Sequence, residues 1–75
     1  MATDICIRLG ERIRSLRKKK GWRQIDLSQH SGIHEVHISD LERGSREICL
    51  RTMLALSKAL EVKLSELVRN LDDEK

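Results

Sequence analysis

The sequence predicts an all-α domain of five short helices, and three observations carry that prediction. The 75 residues contain no proline and only four glycines, so almost nothing interrupts a helical backbone. Apolar residues recur at three- and four-residue spacing along most of the chain, the period of a helix with one buried face. The stretch Gln24 to Gly44 divides into two short amphipathic segments at Gly32, where a glycine allows the positive φ that a tight turn between helices requires. With one Trp and no Phe or Tyr, the core must be built from Leu and Ile. A chain of this length buries a small core and benefits from dimerisation.

Ile5, Leu9, Ile13 and Leu16 place the first helix at about Asp4 to Lys19. Thr3 is the expected N-cap, Asp4 suits the positive helix end, and Arg17 to Lys20 suit the negative end before Gly21. Gly10 sits inside this helix at a propensity cost of about 1 kcal/mol relative to Ala. Trp22 is expected to lid the core. The second helix begins near Gln24, and the third runs to Arg43. Across the intervening turn Ser28 is small enough for a close crossing. Leu27, Ile33, Ile38 and Leu41 point at a common core, which leaves Glu35, Val36, Ser39 and Asp40 facing outward. Met53, Leu54, Leu56, Ala59 and Leu60 form the fourth helix, and Leu64, Leu67, Val68 and Leu71 the fifth. Residues 1–71 are one domain, and the tail 72–75 is too polar to pack and is expected to fray.

The ordered strings LGERIRSLRKKKGW, QIDLSQHSGI, HISDLERG and LRTMLALSKALEVKLSELV resemble the phage repressor/Cro-type (XRE) helix-turn-helix transcriptional regulators over roughly Leu9 to Val68. The segment ERGSREICL is similar to the restriction-modification controller proteins within that family. The resemblance implies a compact lambda-repressor-like fold with the helix-turn-helix at the second and third helices. It also implies double-stranded DNA as partner, with the third helix in the major groove of a near-palindromic operator bound by a homodimer. By the same resemblance Glu35, Val36 and Asp40 face base edges. Gln24, His37, Ser39 and Arg43 lie near phosphate, and Arg17 pairs with Glu42; because acids repel phosphate, Arg23, Arg46, Lys18 and Lys19 are expected to supply the attraction around them. Two departures stand out. Arg23, His34, Cys49 and Lys63 occupy expected cap positions without a hydroxyl or carboxylate, each absence costing about 1 kcal/mol. Glu47-Ile48 stands where many relatives carry Asn-Pro.

The net charge of +3 conceals an asymmetry. Residues 8–23 hold eight basic side chains against one acid, a local +7. Residues 24–45 carry four acids against Arg43 alone, a local −3, and the chain from Glu61 onward carries −2. A basic flank suits a polyanion, while acids on the third helix accept from cytosine N4 and repel phosphate. The competing reading is a protein-interaction module, antitoxin-like or inhibitory, that keeps the fold and offers the acidic third helix to a protein.

No catalytic set is legible: the chain lacks a Gly-rich phosphate loop, a GxSxG elbow and HExxH. His30, His34 and His37 fall short of the four ligands of a zinc site and read as surface or groove-facing. No cofactor, metal or small-molecule ligand is implied. Cys6 and Cys49 lie 43 residues apart and read as reduced thiols. Apolar runs are far below the roughly 18 residues of a membrane span, and the start shows no signal-peptide pattern, so a cytoplasmic chain without membrane association is expected. The C-terminal apolar residues Val62, Leu64, Leu67, Val68 and Leu71 exceed what one small core absorbs and are expected to form the dimer interface.

Overall fold

The computed structural model describes residues 4–73, and these form five α-helices with no strand among them. They are α1 (Ile5–Lys19), α2 (Gln24–Ser31), α3 (Glu35–Arg43), α4 (Leu50–Leu60) and α5 (Leu64–Leu67). Leu9 and Ile13 of α1, Leu27 of α2, Ile38 and Leu41 of α3, and Leu56 and Leu60 of α4 meet in one core. Leu67 and Leu71 complete it from the C-terminal turn, and Trp22, Ile33 and Ile48 pack around its edge. No helix among the described residues is long and apolar enough to cross a membrane.

The helix starts use several chemistries. The expected cap Thr3 lies outside the described residues, and α1 is capped instead by Asp4, whose carboxylate accepts the Cys6 N–H at 2.8 Å. At α2 the capping is reversed: Asp26, inside the first turn, accepts the backbone N–H of Arg23 at 2.8 Å. His34 serves as a cap through Nδ1, which accepts the Val36 N–H at 3.2 Å. Two of the four positions that looked uncapped are therefore provided for by groups the sequence pattern did not single out. Cys49 and Lys63 have no side-chain cap bond.

Gly32 ends α2 in the left-handed conformation, φ 76°, and the Ser28 hydroxyl donates across the turn to the Ile33 carbonyl. This local bond, with Leu27 and Ile38 both fully buried, sets the angle between α2 and α3.

Gly10 has a tertiary role that its propensity cost conceals. A Cβ there would stand 2.4 Å from the Leu41 carbonyl oxygen and 2.6 Å from that of Glu42. The α1 backbone therefore lies directly against the last turn of α3. Gly44, φ 71°, ends α3 at the same crossing, where a Cβ would come 2.5 Å from the Ile7 Cα.

The C-terminal turn departs from expectation. The fifth helix is a single turn ending at Leu67; Val68 and Leu71 lie beyond it. The chain then doubles back, which sends Leu67 and Leu71 into the core at 0% and 7% exposure. Both are thereby removed from the expected dimer interface. Arg12 holds this turn by donating to the carbonyls of Glu66 at 2.9 Å and Arg69 at 2.8 Å. Arg8 donates to the carbonyls of Leu71 and Asp73. Of the tail expected to fray from residue 72, Asp73 is held by Arg8, and residues 74–75 lie outside the described residues.

Ala is the better helix former, yet Gly10→Ala is expected to destabilise the domain. The propensity gain of about 1 kcal/mol is outweighed by forcing α1 off α3, an overpacking cost of about 3 kcal/mol. Thermal unfolding should show Tm lower by roughly 10 °C; an unchanged or higher Tm would refute the close approach.

Candidate nucleic-acid interface

The α1–α3 crossing buries a charged pair at its outer end. Arg17 Nε donates to Glu42 Oε2 at 2.6 Å and Nη2 donates to Oε1 at 3.0 Å, a bidentate pair with side chains only 9% and 4% exposed. The third guanidinium nitrogen, Nη1, donates to the Trp22 carbonyl at 2.6 Å. Gln24 Nε2 donates to Glu42 Oε1 at 3.1 Å. One buried carboxylate therefore joins the end of α1, the start of α2 and the last turn of α3. A buried charge is tolerable only when its lone pairs are met in this way. The network fixes Gln24 at the α2 N-terminus, where the positive end of the helix suits a phosphate oxygen.

From this frame α3 presents its outer face. Glu35 is exposed and Val36 is 63% exposed, while Ile38 on the opposite side is fully buried. A helix is about 10–12 Å wide with its side chains and fits the roughly 12 Å major groove. As chemical types, an apolar side chain suits a thymine methyl and a carboxylate suits the cytosine N4 donor.

Asp40 is not free to act in the same way. Its side chain is 17% exposed, and each carboxylate oxygen faces an arginine: Oδ1 that of Arg43, Oδ2 that of Arg46, whose Nε is 3.2 Å away. Arg43 also donates through Nη1 to the Ser39 hydroxyl at 2.8 Å. Ser39 and Arg43, expected at phosphate, are thus engaged with each other and with Asp40. His37 is half-buried rather than at the outer edge.

Among the basic residues, Arg23 is 80% exposed beside Asp26, whose carboxyl the Arg23 guanidinium and backbone N–H hold below the usual carboxylate range. Lys18 is exposed on the flank of α1. Lys19, expected at phosphate, is exposed roughly half a turn round α1 from Gly10, lining one groove with Arg8, Arg12, Asn70 and Asp73 and another with Arg14 and Lys18.

His30 is stacked flat on Trp22, with ring centroids 4.2 Å apart and planes within 5°. Lys20 Nζ lies 5.0 Å from the Trp22 ring and 2.6 Å from Glu61, whose carboxyl it holds below its ordinary range. These groups close the side of the domain where α1, α2 and α4 meet. At the start of α4, Cys49 Sγ lies 3.1 Å from the Thr52 hydroxyl, which with the Thr52 N–H pulls the exposed thiol below its usual pKa.

Sequence reasoning missed the part played by Gly10 and the Asp40–Arg43–Arg46 cluster. The glycine's only signal is its presence inside a helix. The i,i+3 spacing of Asp40 and Arg43 is visible in the sequence, but the approach of Arg46 requires the turn at Gly44.

Comparison with known proteins agrees with this geometry. The Helix-turn-helix family model matches residues 13–67. The control protein C.SmaI of Serratia marcescens is 34% identical over 70 residues, covering 87% of this chain and 83% of its own. The solved restriction-modification controller protein C.AhdI from Aeromonas hydrophila is similar at a TM-score of 0.80 and 35% identity, over 83% of this chain and 94% of that one. The P22 c2 repressor, crystallised in complex with a synthetic operator, is similar at a TM-score of 0.74 and 43% identity, over 81% and 92% of the two chains.

Breaking the buried pair is expected to be costly. Glu42→Ala leaves the Arg17 guanidinium buried and unpaired and should destabilise by about 3 kcal/mol. Thermal melting should move down by roughly 10–20 °C. A variant that melts with the wild type would show that the pair contributes nothing.

Proposed function

The chain belongs to the helix-turn-helix family of transcription regulators, which are not enzymes, and on that premise we propose that it binds a specific near-palindromic operator as a homodimer. The reading places α3 in the major groove. The observation that carries it is the two-sidedness of α3. Val36 and Glu35 protrude from a helix whose other side is anchored by Ile38 and the Arg17–Glu42 pair. A helix held this rigidly presents side chains to a groove at little ordering cost on binding.

In this reading Glu35 and Val36 meet base edges. The α2 N-terminus, Gln24, Arg23, Lys18 and Arg46 meet phosphate. The rival reading, a protein-interaction module using an acidic α3, loses its main support in the structure. Asp40 is matched by two arginines, so the exposed part of that helix is less acidic than its composition.

The homodimer rests on apolar surface. Leu50 is 65% exposed, Ile5 54%, Leu54 43% and Val68 38%. Val68 and Ile5 line an open apolar groove with Leu9, Ile48 and Met53. Pairing of two copies over Val68 and the α4–α5 side would cover part of this surface and leave α3 free. Of the residues expected at the interface, Val68 is the most exposed, while Val62 and Leu64 are half-buried. Two half-sites roughly 34 Å apart double the readout, which a single α3 needs to single out a sequence.

Selection of bound duplexes from a random pool tests the function; recovery of no motif would refute sequence-specific binding. Glu35→Ala is expected to change the selected bases, and an identical motif would remove Glu35 from the readers. Lys19→Ala is expected to leave affinity within about twofold, because it stands roughly half a turn round α1 from Gly10 and the α3 crossing; a loss for all sequences alike, with the salt slope flatter by about one unit, would put it at the interface. Sedimentation should find Val68→Asp monomeric at concentrations where the wild type is dimeric. An unaffected variant would move the interface elsewhere.

A further inference from the structure

We propose that Asp40 is a positioning residue that holds the Arg46 guanidinium in place for the DNA backbone, a role that rests on the operator-binding reading and deepens it. Asp40 stands at the junction of α3 and the turn that follows. Its backbone carbonyl accepts the Ser45 N–H at 3.1 Å and the Ser45 hydroxyl at 3.0 Å, which turns the chain back so that Arg46 comes beside α3. Its carboxylate then meets two cations. Arg43 lies one helical turn on and, with its side chain 63% exposed, is bonded to both Ser39 and Asp40. Arg46 forms an ion pair with Asp40, Nε standing 3.2 Å from Oδ2, with its side chain 64% exposed.

The difference between the two arginines matters. Arg43 has its Nη1 and Nη2 bonded within its own helix. Arg46 is drawn to the carboxylate as an ion pair, and among the described residues its guanidinium donates no hydrogen bond, which leaves Nη1 and Nη2 available. Those two nitrogens form a planar fork matched to the two oxygens of a phosphate. A free arginine in a loop must be ordered on binding; one already held in an ion pair loses much less freedom. The carboxylate also keeps the cluster at a net +1 rather than +2, which lowers attraction to DNA of any sequence. Asp40 thus exchanges undirected charge for a directed contact, and it does so without touching a base.

The two accounts of Asp40, reader and positioner, give opposite results. The probe is the duplex that the wild-type chain selects from a random pool, with a scrambled duplex of equal length beside it. If the wild type selects nothing, the operator reading fails and this proposal with it. If it selects a motif, Asp40→Asn should select the same bases, bind the motif about tenfold more weakly, and bind scrambled DNA as well as or better than wild type, with a steeper salt slope. In the Arg46→Gln background, Asp40→Asn should have little further effect on motif affinity, and Asp40→Glu should recover part of the loss. A changed base at one position of the motif makes Asp40 a reader and overturns the proposal. So does an undiminished effect of Asp40→Asn when Arg46 is already Gln. Arg46→Lys, at an exposed position, asks the same question without threatening the fold. Loss of motif affinity at an unchanged salt slope supports a held fork, and wild-type affinity refutes it.

Discussion

The bidentate pair between Arg17 and Glu42 is the interaction on which the DNA-facing half of the domain depends. It is buried, it joins three helices, and it has room only because Gly10 lets the α1 backbone lie against the α3 carbonyls. Each feature requires the others. Without the close approach the guanidinium could not reach both Glu42 oxygens; without Glu42, Gln24 would lose the partner that holds it at the α2 N-terminus. A buried ion pair is a poor source of net stability compared with an apolar substitute. Here it supplies geometry, because bidentate contacts are directional and hydrophobic packing is not.

Charge on this protein is managed by pairing rather than by bulk. The most basic stretch, residues 8–23, does not act as one patch. Arg8 and Arg12 hold the C-terminal turn by its carbonyls, Arg17 is buried, and Lys20 is tied to Glu61. What remains exposed near α2 and α3 is sparse. A modest, directed set of cations is consistent with a regulator that must release DNA of the wrong sequence, since undirected charge strengthens every complex alike.

The C-terminal end shows how a small domain completes its core. Nine buried Leu and Ile side chains suffice because the chain doubles back after a single turn of α5. Two α1 arginines tie that end of the chain down by donating to its backbone carbonyls. Of the apolar residues left outside, Val68 and Ile5 line one open groove, and Leu50 and Leu54 are exposed on α4.

Helix positions, the turn at Gly32 and the outward face of α3 could be read from the sequence because each follows from spacing along one chain segment. The period of Leu9, Ile13, Ile38 and Leu41 marks their buried sides whatever they pack against. The Arg17–Glu42 pair was legible only through resemblance to a family. The rest was decided by distances between segments far apart in sequence. Whether Leu67 and Leu71 are core or surface depends on where the chain turns after α5, and their hydrophobicity is the same in either case. Which side of α1 Lys19 occupies relative to α3 follows from the crossing at Gly10. Asp40 looks like a free acid on an exposed face until the turn at Gly44 brings Arg46 to it. Periodicity is a one-dimensional property and survives in the sequence; the pairing of side chains across elements exists only once the helices have packed.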